Sequence, residues 1–324
     1  FSLQGLNLHI TGKTSARYWL EHIYPKDVAE LHINGYLHLH DLNLLSPYCV
    51  GWDLVDLLIK GFGGMPGRIE SKPPKHLSSA LMQLVNFLFT LQHEAAGAVA
   101  VANWDTLLAP FVREDGLSYE QVKQVVQEFI FNMNVPTRVG SQPPFSNVTI
   151  DLNPPEQLAK LPAIVGGRPM DYTYGELKEE ARMLVRAFFE VMLEGDAKGR
   201  PFTFPIPTID IDENFDWDDP ALEPMWEATA KYGIPYFANF MSTGRKRDEV
   251  RSMCPLSPDT KVWIKNKYGR PELTEIGRLG GAHNGQYEIL SRGKWVRGHF
   301  VSVPTDEVIE VTLYNGIKLS MTPE

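Results

Sequence analysis

The sequence changes character at Arg251-Ser252-Met253-Cys254, and one fold does not account for both sides of that point. Upstream, stretches with apolar residues at helical spacing alternate with short apolar runs bounded by proline, the pattern of a large α/β protein. Downstream, from Pro255 to Glu324, short β-type segments are separated by glycine turns. One of the chain's two cysteines stands at the junction. Two domains are therefore expected, residues 1–253 and 254–324.

Within the first part, His32 to Asp41 alternates with period 2 around a turn at Asn34-Gly35, which predicts strand and turn material between residues 30 and 60. Leu77 to Ala102 carries a helical stripe of Leu81, Leu84, Val85, Leu88 and Leu91, followed by a run of small residues suited to close helix packing. Ser118 with Gln121, and Thr173 with Glu176, read as capping boxes, and Gly195 as the stop of the second of these helices. Runs around Phe145–Asp151, Phe202–Ile211 and Tyr236–Phe240 read as buried strands. In the tail, Lys261–Lys265, Gln286–Leu290, Trp295–Val301 and Val308–Leu313 read as strands, and Asn315-Gly316 as a hairpin turn.

Composition narrows the classes. At 43% hydrophobic and 22% charged residues, the chain is of the globular type. A net charge of −9 argues against a general nucleic-acid surface. No apolar run is long enough to span a membrane, so no membrane partner is expected. Two cysteines, Cys49 and Cys254, make no disulfide framework and point to a reducing, cytoplasmic setting. The chain begins without Met and ends abruptly, and it reads as a fragment of a longer product.

Several groups invite a chemical reading. His38 and His40, with Asp41 adjacent, would share one side of a strand, but no third ligand stands at metal spacing, so no metal is assigned. Gly61-Phe62-Gly63-Gly64 lacks the residues of a phosphate loop and reads as a flexible loop. Asp210 and Asp212 read as strand-end or capping residues. A lone cysteine is ordinarily a small buried hydrophobe, and that reading stands beside any functional one.

Taken together, His38-Leu39-His40-Asp41-Leu42, Ser46-Pro47-Tyr48-Cys49, Gly140 to Asn147, Pro235 to Phe240 and Arg251-Ser252-Met253-Cys254 resemble the anaerobic (class III) ribonucleoside-triphosphate reductases. The resemblance covers about residues 1–254. It implies part of a ten-stranded α/β barrel of the glycyl-radical type. It implies reduction of ribonucleoside triphosphates to 2′-deoxyribonucleotides, with a glycyl radical outside this stretch generating a thiyl radical on a finger-loop cysteine. On this reading Cys49 matches the strand-one cysteine, His38 the histidine that approaches substrate, and Asn147 a further substrate-side residue. The family further implies ATP and dNTP effectors, a radical-SAM activase, formate or a thioredoxin-type reductant, a homodimer, and zinc in a part not contained here. Sulfur suits such chemistry because a thiol exchanges a hydrogen atom reversibly with a ribose carbon, while the protein orients the partners.

The family pattern continues with a second cysteine after Cys254; here Pro255 follows instead. Cys254 to Val262 resembles the opening block of an intein. Val308 to Thr322 resembles the second splicing block, with Thr322 at its threonine. The resemblance implies a partial all-β Hedgehog/intein (HINT) module in which Cys254 attacks its own upstream carbonyl. After excision, the cysteine following the intein would stand next to Met253 as the thiyl residue. Other readings remain: another glycyl-radical enzyme, of the formate-lyase or diol-dehydratase type, or a non-catalytic α/β protein whose residues 255–324 form an ordinary β domain.

Overall fold

The computed structural model describes residues 2–63, 67–138, 141–241 and Arg247, and beyond these Arg270 and six strands between Lys261 and Met321. The chain divides into two units, Phe1–Met253 and Cys254–Glu324.

The first unit opens with helices α1 (Leu3–His22) and α2 (Lys26–Ile33), α1 being capped by the Ser2 hydroxyl, which accepts from the Gly5 amide at 3.0 Å. The strand expected between His32 and Asp41 is not formed. His32 belongs to the last turn of α2, Asn34 caps it, and Gly35 takes the left-handed φ of 79° that ends the helix. Alternation over so short a stretch is overridden by local capping. The first strand, β1, is Val50–Trp52. Helix α3 (Leu54–Lys60) follows, with Asp53 accepting from the Val55 amide at 2.9 Å.

Helix α4 (Leu77–Leu91) buries Leu77, Ala80, Leu81, Leu84, Val85, Leu88 and Leu91, one face at helical spacing. It ends at Leu91, short of Ala102. The small-residue run beyond it turns and becomes strand β2 (Val99–Val101). The backbone there passes so near the β1 side that a Cβ on Gly97 would stand 2.9 Å from the Tyr48 carbonyl oxygen. The small residues thus serve a close approach of two chain segments, not of two helices.

Next come α5 (Trp104–Asp115) and α6 (Tyr119–Met133). The Ser118–Gln121 capping box at the head of α6 forms with both reciprocal bonds. Strand β3 is Ser146–Ile150, α7 is Glu156–Ala159, and β4 (Pro162–Val165) pairs with β5 (Arg168–Thr173) as a hairpin. The Thr173–Glu176 box forms too, but it opens a single 3-10 turn before α8 (Lys178–Glu194), which Gly195 stops at φ 71°. Strand β6 (Ile206–Ile211), α9 (Glu223–Tyr232) and β7 (Tyr236–Asn239) complete the unit.

Strands β1, β2, β3, β6 and β7 form one parallel sheet in that order, so each crossover carries helices between sequential neighbours. Alternation divides the sheet into two faces. Trp52, Val99, Val101, Val148, Ile150, Ile209 and Ile211 join the apolar core beneath the helices. There Trp104 stacks at 5.9 Å on Phe129 and meets Phe188 edge-on at 5.4 Å. Burying each such ring stabilises by about 1.5–3 kcal/mol.

In the second unit, β8 (Lys261–Lys265), β9 (Pro271–Glu275), β10 (Tyr287–Ser291) and β11 (Lys294–Gly298) make an antiparallel sheet ordered β11-β10-β8-β9. Strands β12 (Ile309–Thr312) and β13 (Lys318–Met321) pair antiparallel, with Thr312 opposite Lys318 across the Asn315-Gly316 position. Strand β9 was not anticipated from the sequence. Cys254, Thr322 and the Asn315-Gly316 turn lie outside the described residues.

Candidate active site

Cys49 stands one residue ahead of β1, at the edge of the parallel sheet, as a half-buried free thiol. Its backbone is fixed on both sides. The Pro47 carbonyl accepts from the Ala96 amide at 2.9 Å, Tyr48 accepts from Gly97, and Val50 donates to Ala98 at 3.0 Å. Arg138 supports that partner segment by donating to the carbonyls of Ala96 at 2.8 Å and Gly97 at 3.3 Å. Its guanidinium lies 4.4 Å from the Phe145 ring centroid, which lets a half-buried cation keep a favourable face. Burial lowers the basicity of Arg138, against a raising influence from Asp41. Burial also lowers the pKa of neighbouring His93, with Arg138 adding to the effect.

The register places Gly51, Ala100, Asn147 and Ile206 in one row across the sheet, and Thr149, Thr208 and Tyr236 in the next row of the same face. Cys49, two residues before Gly51, falls on that side by alternation. Asn147 is buried and donates from Nδ2 to the Thr208 hydroxyl at 2.9 Å. Cys49 and Asn147 therefore share the face of the sheet opposite the apolar helical core.

His38 is placed differently. It is exposed, its ring 5.7 Å from His32 and 5.5 Å from His40, and it lines a groove of about 900 Å³ bounded by α1, α2 and residues 38–43. His40 is nearer the cysteine, with its ring edge-on to Tyr48 at 5.4 Å and its Nδ1 2.8 Å from Asp41. Among the described residues no group of three or more His, Cys, Asp or Glu could hold a metal.

At the opposite, C-terminal ends of the strands lies a buried ionic cluster that the sequence reading missed apart from Asp210 and Asp212. Asp105, in the first turn of α5, accepts from the amides of Asp151 and Leu152, both at 2.8 Å. Those bonds hold Leu152 at φ 60°, a left-handed conformation costly for a branched residue. Asp151 itself receives the Asn103 amide at 2.9 and 3.1 Å and the Thr106 hydroxyl at 2.7 Å.

Arg247 closes the cluster, donating to Asp212 at 2.7 Å, to the Asp151 carboxylate at 2.9 Å and to the Asn153 carbonyl at 2.8 Å. Burial, then the Asp151 charge, pushes Asp105 up to about 7. The same two causes push Asp210 up to about 8, against a lowering influence from Arg247. Asp212 accepts from the Asn214 amide at 2.9 Å, so the expected capping role is present as well. The only sequence signal for the rest was an acidic residue just after each of two strand ends.

Comparison with known proteins gives the context of this sheet. The profile of the family described as anaerobic ribonucleoside-triphosphate reductase matches residues 1–276. The chain belongs to the anaerobic ribonucleoside-triphosphate reductase family. The match continues past Cys254 and through β9. The chain is 30% identical over 125 residues to the anaerobic ribonucleoside-triphosphate reductase of Salmonella typhimurium, covering 37% of this chain and 17% of that protein. It is 29% identical over 136 residues to the Escherichia coli enzyme, covering 40% of this chain and 18% of that protein. The matched stretch thus spans less than a fifth of these reductases.

Among solved structures, the anaerobic ribonucleotide reductase of Thermotoga maritima in complex with dATP and CTP superposes with a TM-score of 0.59 at 22% identity. That superposition covers 74% of this chain and 43% of the Thermotoga chain. A second Thermotoga structure, with glycerol in the active site, gives 0.60 at the same 22% identity. The fold is therefore the α/β fold with a parallel sheet of these reductases. No helix among the described residues is long and apolar enough to cross a membrane.

Proposed function

We propose that residues 1–253 are part of the catalytic barrel of an anaerobic reductase that converts ribonucleoside triphosphates to 2′-deoxyribonucleoside triphosphates. The observation that carries this reading is the position of Cys49, at the head of the first strand of a parallel sheet in a chain of this family. On this reading the five sequential parallel strands are half of a ten-stranded barrel, and the face bearing Cys49 and Asn147 is its lumen. A glycyl radical outside residues 1–253 supplies the oxidising equivalent. With the 3′-hydrogen taken up by the thiyl radical, the 2′-hydroxyl leaves as water on receiving a proton from the Cys49 thiol. Formate or a thioredoxin-type reductant supplies the two electrons and the second proton that reduce C2′, and the 3′-hydrogen then returns to the sugar. Asn147, held by Thr208, offers a fixed amide to the substrate. Gly51 and Ala100, in the same row as Asn147, present no group that competes for the thiol's hydrogen.

ATP and dNTP effectors, a radical-SAM activase, formate or a thioredoxin-type reductant, a homodimeric state and a cytoplasmic setting are part of the same proposal. His38, exposed on the α1–α2 groove, is assigned no chemical step in this proposal. The test is Cys49→Ser in the full-length protein, activated anaerobically. We expect the glycyl-radical signal to persist while nucleotide reduction is lost. Normal reduction by that variant would overturn the reading.

A second reading concerns Cys254–Glu324, for which we propose the N-terminal part of an intein. It is supported by the Cys254 and Thr322 blocks, by the division of the chain at Met253, and by the antiparallel pairing of every described strand beyond it. The family match reaching residue 276 weighs against it. In the proposed step, the Cys254 sulfur bonds to the Met253 carbonyl carbon as the C–N bond breaks. A thioester and the free α-amine of Cys254 result. Incubating the complete precursor with dithiothreitol and weighing the products decides the matter. Cleavage after Met253, abolished by Cys254→Ala, is expected; an intact precursor would refute it.

A further inference from the structure

We infer that Arg138 is a positioning residue: its guanidinium ties together the heads of β1, β2 and β3 and so fixes the spacing between the Cys49 thiol and the Asn147 amide. The inference rests on the reductase reading for what that spacing serves, and on the geometry alone for the tie.

The head of β1 needs such a tie. The strand has three residues, stands at one end of the sheet and pairs with β2 alone among the described residues. A three-residue ladder open on one side frays readily. Cys49 lies ahead of even that ladder, which begins at Val50 and Val99. What holds the residues before it is the bend at residues 95–97. The Ala96 amide donates to the Pro47 carbonyl at 2.9 Å, and the Gly97 amide donates to Tyr48. The position of the thiol is therefore only as firm as the bend.

Two carbonyls of the bend go to one side chain. Arg138 donates from Nη2 to Ala96 at 2.8 Å and from Nη1 to Gly97 at 3.3 Å. Bonds from a charged donor are stronger than neutral ones, and a planar fork holds two acceptors in one geometry where a single ammonium does not. The same guanidinium lies over the Phe145 ring, and the Phe145 carbonyl accepts from the Val99 amide at 2.9 Å. Phe145 directly precedes β3 and stands two residues before Asn147; its ring stacks on Phe204 at 5.3 Å. Arg138 is itself pinned, its amide donating to the Gln142 carbonyl at 2.8 Å and its carbonyl accepting from the Gln142 amide at 3.3 Å. One residue, belonging to none of the three strands, thus links residues 96–97 to Phe145 and, through the bend, to Pro47 and Tyr48. Thiol and amide must face one sugar together, and misplacement of about 1 Å costs on the order of 100-fold in rate. The Asp41 charge also acts on this guanidinium, so a lysine, which keeps the charge and loses the fork, separates the two roles.

The experiment uses the full-length protein as wild type, Arg138→Met and Arg138→Lys. Before activation, the rate of Cys49 alkylation by iodoacetamide and the hydrogen exchange of peptides spanning residues 47–52 and helix α8 are measured. After anaerobic activation, glycyl-radical spin, kcat and KM for each ribonucleoside triphosphate follow. Arg138→Met is expected to raise Cys49 alkylation at least fivefold and exchange at residues 47–52 at least tenfold, with α8 unchanged. It should keep the radical, hold KM within twofold and lose at least 100-fold in kcat. Arg138→Lys should recover no more than a tenth of wild-type kcat. Full rescue by lysine would assign the role to charge and overturn the tie, as would wild-type alkylation and exchange in Arg138→Met, or a parallel loss of protection in α8. Should Arg138→Met fail to fold, Arg138→Lys decides, with alkylation at least twice the wild-type rate expected and an unchanged rate refuting. A wild-type protein that carries the radical but reduces no nucleotide sinks the reductase reading alone, and alkylation and exchange then judge the tie.

Discussion

Asp210→Asn should remove a fall of local stability with rising pH at the strand ends. Burial and then Asp151 push the Asp210 carboxyl from the usual 3.8 to about 8. The groups facing it are Asp151, Asp105, Asp212 and Arg247. The folded state therefore keeps a proton between pH 3.8 and about 8 that the unfolded chain releases. Fewer protons bound when unfolded means that stability falls as pH rises across this window, and levels off above it. At about 1.36 kcal/mol per pKa unit the whole window is worth at most about 6 kcal/mol. Asp105, pushed up to about 7 by burial and the same Asp151, competes for the proton. About half of the total, ~3 kcal/mol, then belongs to Asp210 alone. An asparagine mimics the protonated form at every pH. It should match wild type near pH 4 and exceed it by ~3 kcal/mol near pH 8. Hydrogen exchange of α5 and β3 peptides, compared between the two proteins at each pH, reads the difference directly. Parallel curves for wild type and variant would show that Asp210 is ionised when folded and refute the assignment.

Three further outcomes follow from packing. Phe188→Ala removes a fully buried ring that meets both Trp104 and Phe189 edge-on, and should cost about 3–5 kcal/mol in denaturant unfolding without altering Cys49 reactivity. Ser118→Ala deletes the hydroxyl half of the capping box on α6 and should cost about 1 kcal/mol, read from the same curves. Gly97→Ala forces a Cβ to within 2.9 Å of the Tyr48 carbonyl and displaces the turn that carries Cys49. Its loss of nucleotide reduction should exceed its loss of stability, and a variant with wild-type turnover would show that Cys49 tolerates the shift.

Much of the fold was legible because its signals are local. The stripe on α4, the boxes at Ser118 and Thr173, and the stop at Gly195 each depend on residues within a turn or two of one another. What failed were places where a distant partner decides. The run from Glu94 to Ala100 has good helix formers, yet it leaves the helix because Tyr48 and Pro47 supply carbonyls to its amides. His32 to His40 alternates like a strand, but among the described residues no strand pairs with it, and capping by Asn34 prevails. Cys49 was legible as a candidate from its motif. Its fixation by Arg138, 89 residues later in sequence, was not.

The ionic cluster follows the same logic at a larger scale, and its composition explains why no motif reveals it. Its members come from α5, from the ends of β3 and β6, and from Arg247, with at least 35 residues of sequence between Arg247 and any carboxylate it meets. Each side chain alone is unremarkable at a helix start or strand end. Together, four carboxylates share the cluster with one guanidinium, which lies within 3.9 Å of three of them, and such an excess survives only if a proton is retained or charge is spread over many donors. Both occur. Asp105 and Asp210 are pushed towards neutrality, while Asp151 gathers bonds from Asn103, Thr106 and Arg247. Replacing the cluster by apolar residues would spare that cost, yet the carboxylate of Asp105 is what holds Leu152 in its left-handed turn. An apolar side chain there would leave two buried amides without partners, at about 1–3 kcal/mol each. The polar cluster is therefore the cheaper solution for a strand that must end abruptly at Asp151, and the same abrupt end presents the acceptors that Arg247 uses.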